Sequence, residues 1–553
     1  MRAGARAGIL NCMRGALPTA VAFLALAVPG TAAADWPIYG HDLSNTRTAA
    51  ADGPAGDELA GLQRDWTFRS PTGDFTGTPV VAGGVLVAGD HGGWVYALDA
   101  VTGEVRWTHE AGASINGTAA IDLAAPGGAT VFVPVAEPGA PRLVALSLAD
   151  GAKRWETVLT EQPNASVYGS PVFWNGSLYI GTSGPNNDDT KARGSVVALD
   201  EATGRVRWQT FTVPPESDGA AVWCTPAIDT ATGRLYVVTG NNYHPPATDT
   251  SDAILALDAS DGAIVGKYQA TPDDDWSPDN LTGGPDHDFG ASPNLFTGPD
   301  GRPLVGAGQK SGTYWAVDRA TFEMVWNRQL GPGGILGGIM GSTAFDGTRI
   351  YGSNAQNGEV FGLGRDGTVA WTSMDSGGTH FGPTAVANGV VYTVDPSGFV
   401  VARDPESGAV LARLGLDGPA FGGVSAVGRA LYVAVGTGPP PEPAPQQDGP
   451  GDIVAFGDTS ASKGTEPPPA PPIGGGGTEG GQSPPPAARR LRLRLTVKPR
   501  RVRAGRRTIL RFRVTAAGRP VATATIRVGR RLTVTDSRAA ARSCSSASAG
   551  PAE

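Results

Sequence analysis

Five short segments of this 553-residue chain carry side chains able to do chemistry. Pro285-Asp286-His287-Asp288-Phe289-Gly290-Ala291-Ser292-Pro293 sets two carboxylates around an imidazole, and a carboxylate can take a hydroxyl proton as a general base. Gly308-Gln309-Lys310-Ser311-Gly312 follows with an ammonium that can steady developing negative charge. Trp223-Cys224-Thr225-Pro226-Ala227 and then Thr239-Gly240-Asn241 offer an indole face and an amide oxygen, suited to a flat ring and a hard cation. Gly181-Thr182-Ser183-Gly184 adds a hydroxyl, and Pro185-Asn186-Asn187-Asp188-Asp189 adds further oxygens. Each segment also has a plainer explanation. Asp and Asn in Gly/Pro-rich loops form turns, Trp223 can be one more tryptophan between repeats, and Lys310 an exposed lysine before a turn. Asp286 and Asp273-Asp274-Asp275 read as solvated loop acids. Hydrolase motifs are absent: no Gly-x-Ser-x-Gly or His-Glu-x-x-His occurs, and the six His are scattered. His287, beside Asp288, is the one histidine placed to aid a substrate or a base.

These segments sit within a repeat. Ala97-Leu98-Asp99…Thr102-Gly103…Trp107 recurs as Ala198-Leu199-Asp200…Thr203-Gly204…Trp208. Looser copies end at Trp155, Gly266, Trp326, Trp371 and Leu411, the last counted from Ala402. A spacing of roughly 40–60 residues marks propeller blades or stacked repeats. The run before each copy alternates, as in Trp94-Val95-Tyr96-Ala97-Leu98, which is a strand. Asp and Gly bracket a tight turn, and the Trp opens the next strand with a large face to bury between sheets. Two half-copies remain: Trp66 lacks a preceding strand, and Ile453-Val454-Ala455-Phe456-Gly457-Asp458 lacks a following Trp. Joined, they make an eighth blade. The expectation is an all-β, eight-bladed β-propeller over residues 35–458, closed by pairing of its N- and C-terminal strands.

Flanking segments are of other kinds. Residues 1–34 resemble an export signal, with an apolar stretch from Ala16 to Val28, a Pro29-Gly30 break and Ala32-Ala33-Ala34 before Asp35. A secreted, periplasmic or cell-surface location follows as an expectation. A Pro/Gly-rich stretch, 459–488, reads as a disordered linker. From Arg489 to Arg542 there are 18 Lys or Arg and one acid, Asp536. Apolar runs at 491–497, 508–514 and 522–528 suggest a partial immunoglobulin-like β module over 489–536, and 537–553 a disordered tail. No nucleic-acid motif accompanies the charge, so cell-wall or surface contact is the expected partner for the module and nucleic acid is not. Cys224 and Cys544 are not placed to pair, and no Cys-x-x-Cys-His for a c-type haem occurs.

The opening Asp35-Trp36-Pro37-Ile38-Tyr39-Gly40-His41-Asp42-Leu43-Ser44-Asn45-Thr46-Arg47 resembles the polyvinyl alcohol dehydrogenase type of quinoprotein. The repeats are similar to the pyrroloquinoline quinone (PQQ)-dependent alcohol dehydrogenases more broadly. That resemblance implies PQQ and Ca²⁺ as cofactors and a small or polymeric alcohol as substrate. It also implies a separate electron acceptor such as a cytochrome c. It places Asp288 as catalytic base and calcium ligand, Asn241 as a second calcium ligand and Trp223 as the stacking floor. Lys310 and Ser183 become cofactor contacts. Where the family carries a calcium-binding Glu this chain has its Asn/Asp segment, so Asp188 is the substitute metal ligand. The adjacent cysteines common in the family are missing. A non-catalytic propeller acting as a surface scaffold is the alternative expectation. Unpaired acids around the funnel would favour the enzyme, and an apolar funnel the scaffold.

Overall fold

A computed structural model describes residues 35–136, 139–184, 191–278, 280–375, 380–438 and 449–462, with six short backbone segments between 493 and 545. The expected signal segment 1–34, Asp188 and most of the linker lie outside the described residues, as does the tail except for Ala541–Ser545.

Among the described residues, eight four-stranded antiparallel sheets form the blades, seven of them from consecutive strands. They span Val80–Glu110, Ala120–Val158, Val172–Phe211, Ala227–Gln269, Asn294–Gln329, Ala344–Met374 and Ala385–Gly415, numbered here as blades 1 to 7. Blade 8 combines Val424–Val427, Arg429–Ala434 and Asp452–Asp458 with Arg64–Arg69 as its outermost strand. Trp66 pairs with Ala455, so the two half-repeats join as expected. First strands of neighbouring blades touch around the axis from blade 1 to blade 3 and from blade 4 to blade 8, and that of blade 8 meets that of blade 1.

Side-chain packing accounts for the repeat. The motif Ala faces the motif Trp across the outer strand pair, as in Ala97–Trp107 and Ala198–Trp208. In blade 7 Ala402 faces Ala412, which moves that repeat end one residue beyond the expected Leu411. Each Trp then leans on the motif Gly of the following blade. A Cβ on Gly103 would lie 2.6 Å from the ring of Trp66, and one on Gly151 2.6 Å from that of Trp107. Both glycines have positive φ, so the turn and the close approach each require Gly. The indole N–H donates to the same neighbour, Trp66 to Ala100 O at 3.3 Å and Trp107 to Leu148 O at 2.8 Å. Blades 4 and 5 reverse the pair: Gly266 stands where Trp is expected, and Phe322, at φ 59°, where Gly is expected.

Two further devices hold the ring. A belt of hydroxyls precedes the first strands, in which Thr78 N–H donates to Thr118 Oγ1, Thr118 N–H to Ser170 Oγ, and Ser170 N–H to Thr225 Oγ1. It continues from Thr225 N–H to Ser292 Oγ and from Ser292 N–H to Ser342 Oγ, and Gly423 N–H returns to Thr78 Oγ1. Past the belt, residues 36–49 lie across the axial opening. Carbonyls of Trp36, Pro37, Leu43, Ser44, Thr46 and Arg47 accept N–H groups from the first strands of blades 1, 2, 4, 5, 6 and 7. Thr48–Ala49 adds a fifth, parallel strand to blade 7. Arg47 is fully buried there; its Nε donates to Thr384 O at 2.8 Å. Thr459–Ser462 form a 3₁₀ turn, and Ser462 Oγ donates to Val427 O at 3.0 Å.

In the second compact unit, Pro471–Glu553, the described backbone pairs Thr508–Ala516 with Leu493–Lys498, Arg519–Pro520 and Ala541–Ser545. A separate hairpin joins Thr525–Val528 to Arg531–Val534.

Candidate active site

The loop before a blade's first strand and the loop after its second strand leave from the same end of the sheet. Asp288 precedes Asn294–Thr297 and Lys310 follows Pro303–Gly308 in blade 5. Trp223 precedes Ala227–Asp229 and Asn241 follows Arg234–Val238 in blade 4. Ser183 follows Ser177–Thr182 in blade 3. The topology therefore carries all five to one mouth of the ring.

Asp288 is the hub. Its Oδ1 accepts the Asn241 N–H at 2.6 Å, and its Oδ2 lies 2.6 Å from Lys310 Nζ. Lys310 Nζ also donates to Asp286 Oδ1 at 2.9 Å, and the Lys310 N–H donates to Asp288 O at 2.9 Å. A Cβ on Gly240 would meet Asp288 Oδ1 and lie 3.6 Å from Trp223 Nε1, so this glycine lets the chain pass between them. Gly290 does the same beneath the indole edge, 3.1 Å from Trp223 Cη2. Trp223 and Gly290 line a cavity of about 150 Å³ in the throat of the ring.

Burial and charge tune the cluster. Asp286 and Asp274, expected to be solvated, are only 2% and 0% exposed. Asp274 is held by backbone N–H groups: its Oδ2 accepts His287 N–H at 2.9 Å and its Oδ1 accepts Trp276 N–H at 3.3 Å. Burial, and then the charge of Asp288, push Asp286 up to about 7 against the pull of Lys310. Burial alone would lower Lys310, but Asp288 and Asp286 together raise it above the usual lysine range. Burial lowers His287.

Asp252 escaped the sequence. It is fully buried, with neither carboxylate oxygen hydrogen-bonded among the described residues, and burial followed by the charges of Asp288 and Asp274 raises it well above the carboxylate range. A signal was present: an acid stands immediately before the wholly apolar run Ala253-Ile254-Leu255-Ala256-Leu257. Such an uncompensated group is costly in a core, and its electrostatic coupling to Asp288 and Asp274 makes it a candidate member of the site.

A second acidic cluster lies in blades 6 and 7, where Asp375, His380 and Asp395 bring potential ligand atoms within 4.8 Å of one another. Arg403 and Arg413 both pair with Asp375, and Arg413 reaches Asp395 at 3.2 Å. These guanidinium groups already balance the carboxylates and would repel a metal ion there.

The profile described as outer membrane protein assembly factor BamB matches residues 61–187 and 250–426, more than half of the chain. The polyvinylalcohol dehydrogenase of a Pseudomonas species is 31% identical over 57% of this chain and 54% of its own length. That of Sphingopyxis sp. (strain 113P3) is 32% identical over 58% and 56%. The chain belongs to the PQQ-type β-propeller repeat family. It spans about half the length of these curated relatives. The solved quinohemoprotein alcohol dehydrogenase of Comamonas testosteroni shares the fold, with a TM-score of 0.62 at 19% identity over 81% of this chain and 82% of that one.

Fit to a quinoprotein's cofactors can be tested on the side chains present. Asn241 Nδ2 donates to Asn242 O at 2.8 Å and Trp276 O at 2.6 Å, which fixes the amide and leaves Oδ1 accepting no hydrogen bond among the described residues. Among the described residues, Ser183 Oγ is buried without a partner, and so is Asp286 Oδ2. An oriented amide oxygen, carboxylates and a spare hydroxyl are the groups that a hard cation and a polar quinone use. The acids at this mouth are thus partly unpaired, the condition set for the enzyme over the scaffold. Cys224 is a buried thiol that accepts Val238 N–H at 3.3 Å, and no cysteine adjoins it in the sequence.

Proposed function

We propose that the chain is an exported PQQ- and Ca²⁺-dependent dehydrogenase that oxidises a secondary or polymeric alcohol and passes the electrons to a separate carrier. One observation carries this reading: Asp288 is oriented by Asn241 N–H and Lys310, with only Gly240 between it and the Trp223 indole. Bound PQQ supplies the acceptor for the substrate's hydride. Trp223 would stack on its ring, and Ser183 and Lys310 would donate to its oxygens. Asn241, Asp288 and Asp188 would hold Ca²⁺, which acts as a Lewis acid.

The chain's own part is proton handling and positioning. Asp288 takes the hydroxyl proton as the C–H bond breaks. The Lys310 ammonium holds the Asp288 carboxylate in place and offsets negative charge that builds during reduction.

Calorimetric titration of PQQ into the full chain, with and without Ca²⁺, tests the assignment. Tight binding that requires Ca²⁺ is expected. Absence of binding under both conditions would overturn it and favour the scaffold, for which the BamB description of the matching profile is the precedent.

A further inference from the structure

Asp252 takes no part in the clamp around Lys310, yet the strand ladder brings it to the same place. The register that sets Val238 against Ile254 carries on to Gly240 against Asp252, where Asp252 N–H donates to Gly240 O at 2.9 Å. Gly240 is the residue whose missing side chain makes room for Asp288 Oδ1. Its neighbour Asn241 bears the amide oxygen that accepts no hydrogen bond among the described residues. Opposite residues on antiparallel strands hold their Cβ positions about 5 Å apart. Two oxygens on one Ca²⁺, each about 2.3–2.6 Å from the ion, can be nearly that far from each other. Asp252, Asn241 and Asp288 are therefore within reach of a shared ion.

Three features of Asp252 call for a cation. It is fully buried, and neither oxygen of its carboxylate has a hydrogen-bond partner among the described residues. Its φ is 47°, a left-handed conformation that Asp tolerates better than most residues but that still costs energy. The chain is thus held in strain to place a group with nothing to bond. Finally, the ammonium nearby is already committed, since Lys310 Nζ is shared between Asp288 Oδ2 and Asp286 Oδ1. With Asp274, which is held by backbone N–H groups, four carboxylates interact around that one lysine. A divalent ion would offset the excess, where an unpaired buried carboxylate is costly.

We propose that Asp252 is a ligand of the Ca²⁺ ion, beside Asn241 and Asp288. The proposal rests on the Ca²⁺-dependent dehydrogenase reading and adds to it a ligand from the start of the third strand of blade 4, Ala253–Asp258.

The test is calorimetric titration of CaCl₂ alone into the full chain, first stripped with EDTA, with melting temperatures read with and without Ca²⁺. Asp252→Asn keeps the size and the tolerance of left-handed φ and removes the charge. Asp252→Gly, which suits the same φ, is the second variant. Both are expected to bind Ca²⁺ at least about tenfold more weakly than wild type, the lower end of the loss seen when even an outer partner of a metal ligand is removed. Without Ca²⁺, Asp252→Asn should melt no lower than wild type, because the uncompensated carboxylate is gone. Most of the rise in melting temperature that Ca²⁺ gives wild type should vanish in the variant. A merely structural residue would instead lower the melting temperature equally under both conditions, and that result overturns the ligand. So does an unchanged affinity in both variants, or no Ca²⁺ binding by wild type. PQQ binding that requires Ca²⁺, beside an unaltered Ca²⁺ affinity in the variants, would remove Asp252 and leave the dehydrogenase reading. Ca²⁺ held through Asp252 by a chain that never binds PQQ would do the reverse.

Discussion

Lys310 Nζ lies 2.6 Å from Asp288 Oδ2 and is shared with Asp286, so one cation holds together two carboxylates that would otherwise repel. The side chain is only 12% exposed, and the pair is insulated from solvent. This clamp does two jobs, stability and orientation, that substitutions can separate.

Asp288→Asn keeps the shape and the Asn241 contact but cannot take a proton. Dye-linked alcohol oxidation should fall by about 10²–10⁴-fold, the usual worth of a general base, with the melting temperature close to wild type. Turnover within a few-fold of wild type would remove Asp288 from the mechanism.

Lys310→Met leaves Asp286 and Asp288 facing each other with no cation. Breaking a buried pair from one side costs about 3–5 kcal/mol, so the urea midpoint should drop sharply. Lys310→Arg should recover part of the loss. A midpoint unchanged in Lys310→Met would mean that the clamp contributes little to the fold.

Glu201 gives a pH signature remote from the site. It is 6% exposed with Oε1 unpartnered among the described residues, and burial followed by Asp122 pushes it up to about 8 from 4.5. Below about pH 4.5 both states keep the proton; between about 4.5 and 8 the unfolded chain gives it up first. Stability therefore falls as pH rises through that window and levels above it. Glu201→Gln should flatten the fall in denaturation series from pH 5 to 8. A smaller slope should remain from Asp286, raised to about 7, from Asp252, raised well above the carboxylate range, and below pH 6 from Asp35, which burial raises to about 6. Identical slopes in variant and wild type would rule Glu201 out as the source.

The exchanged pair at Gly266 and Phe322 predicts strong coupling. Gly266→Trp alone would drive an indole into Phe322, and Phe322→Gly alone would empty the space. The double variant recreates the arrangement of the other blades and should regain stability, with a coupling of at least about 1 kcal/mol between contacting residues. Additive losses in a double-mutant cycle would show that blades 4 and 5 do not meet through these side chains.

The blades were legible because their signal lies in side chains. Trp66 and Ala455 could be matched across nearly the whole propeller since each half-motif lacks what the other carries. Blade 7 was misjudged by one residue because Ala412 takes the place of the Trp that marks the other ends. Residues 36–49 left no trace of their position, since they bond to successive blades mainly through backbone carbonyls, which no residue pattern reports. Asp274 and Asp286 looked like loop acids because nothing in their local sequence says that the loops fold inward. Asp288 and Lys310 were found through family likeness. Their distance from each other needed the three-dimensional register.

The segment from Trp36 to Ala49 gives the ring a floor. With Arg47 buried among the first strands, the described residues close the axial opening at that end like the bottom of a cup. If the proposed polymeric alcohol is the substrate, it could not be drawn through the ring like thread through a bead. It would have to offer a free end or a bent loop, withdraw after each event and present itself again, so attack on a long chain would be scattered along its length and not run processively from one end.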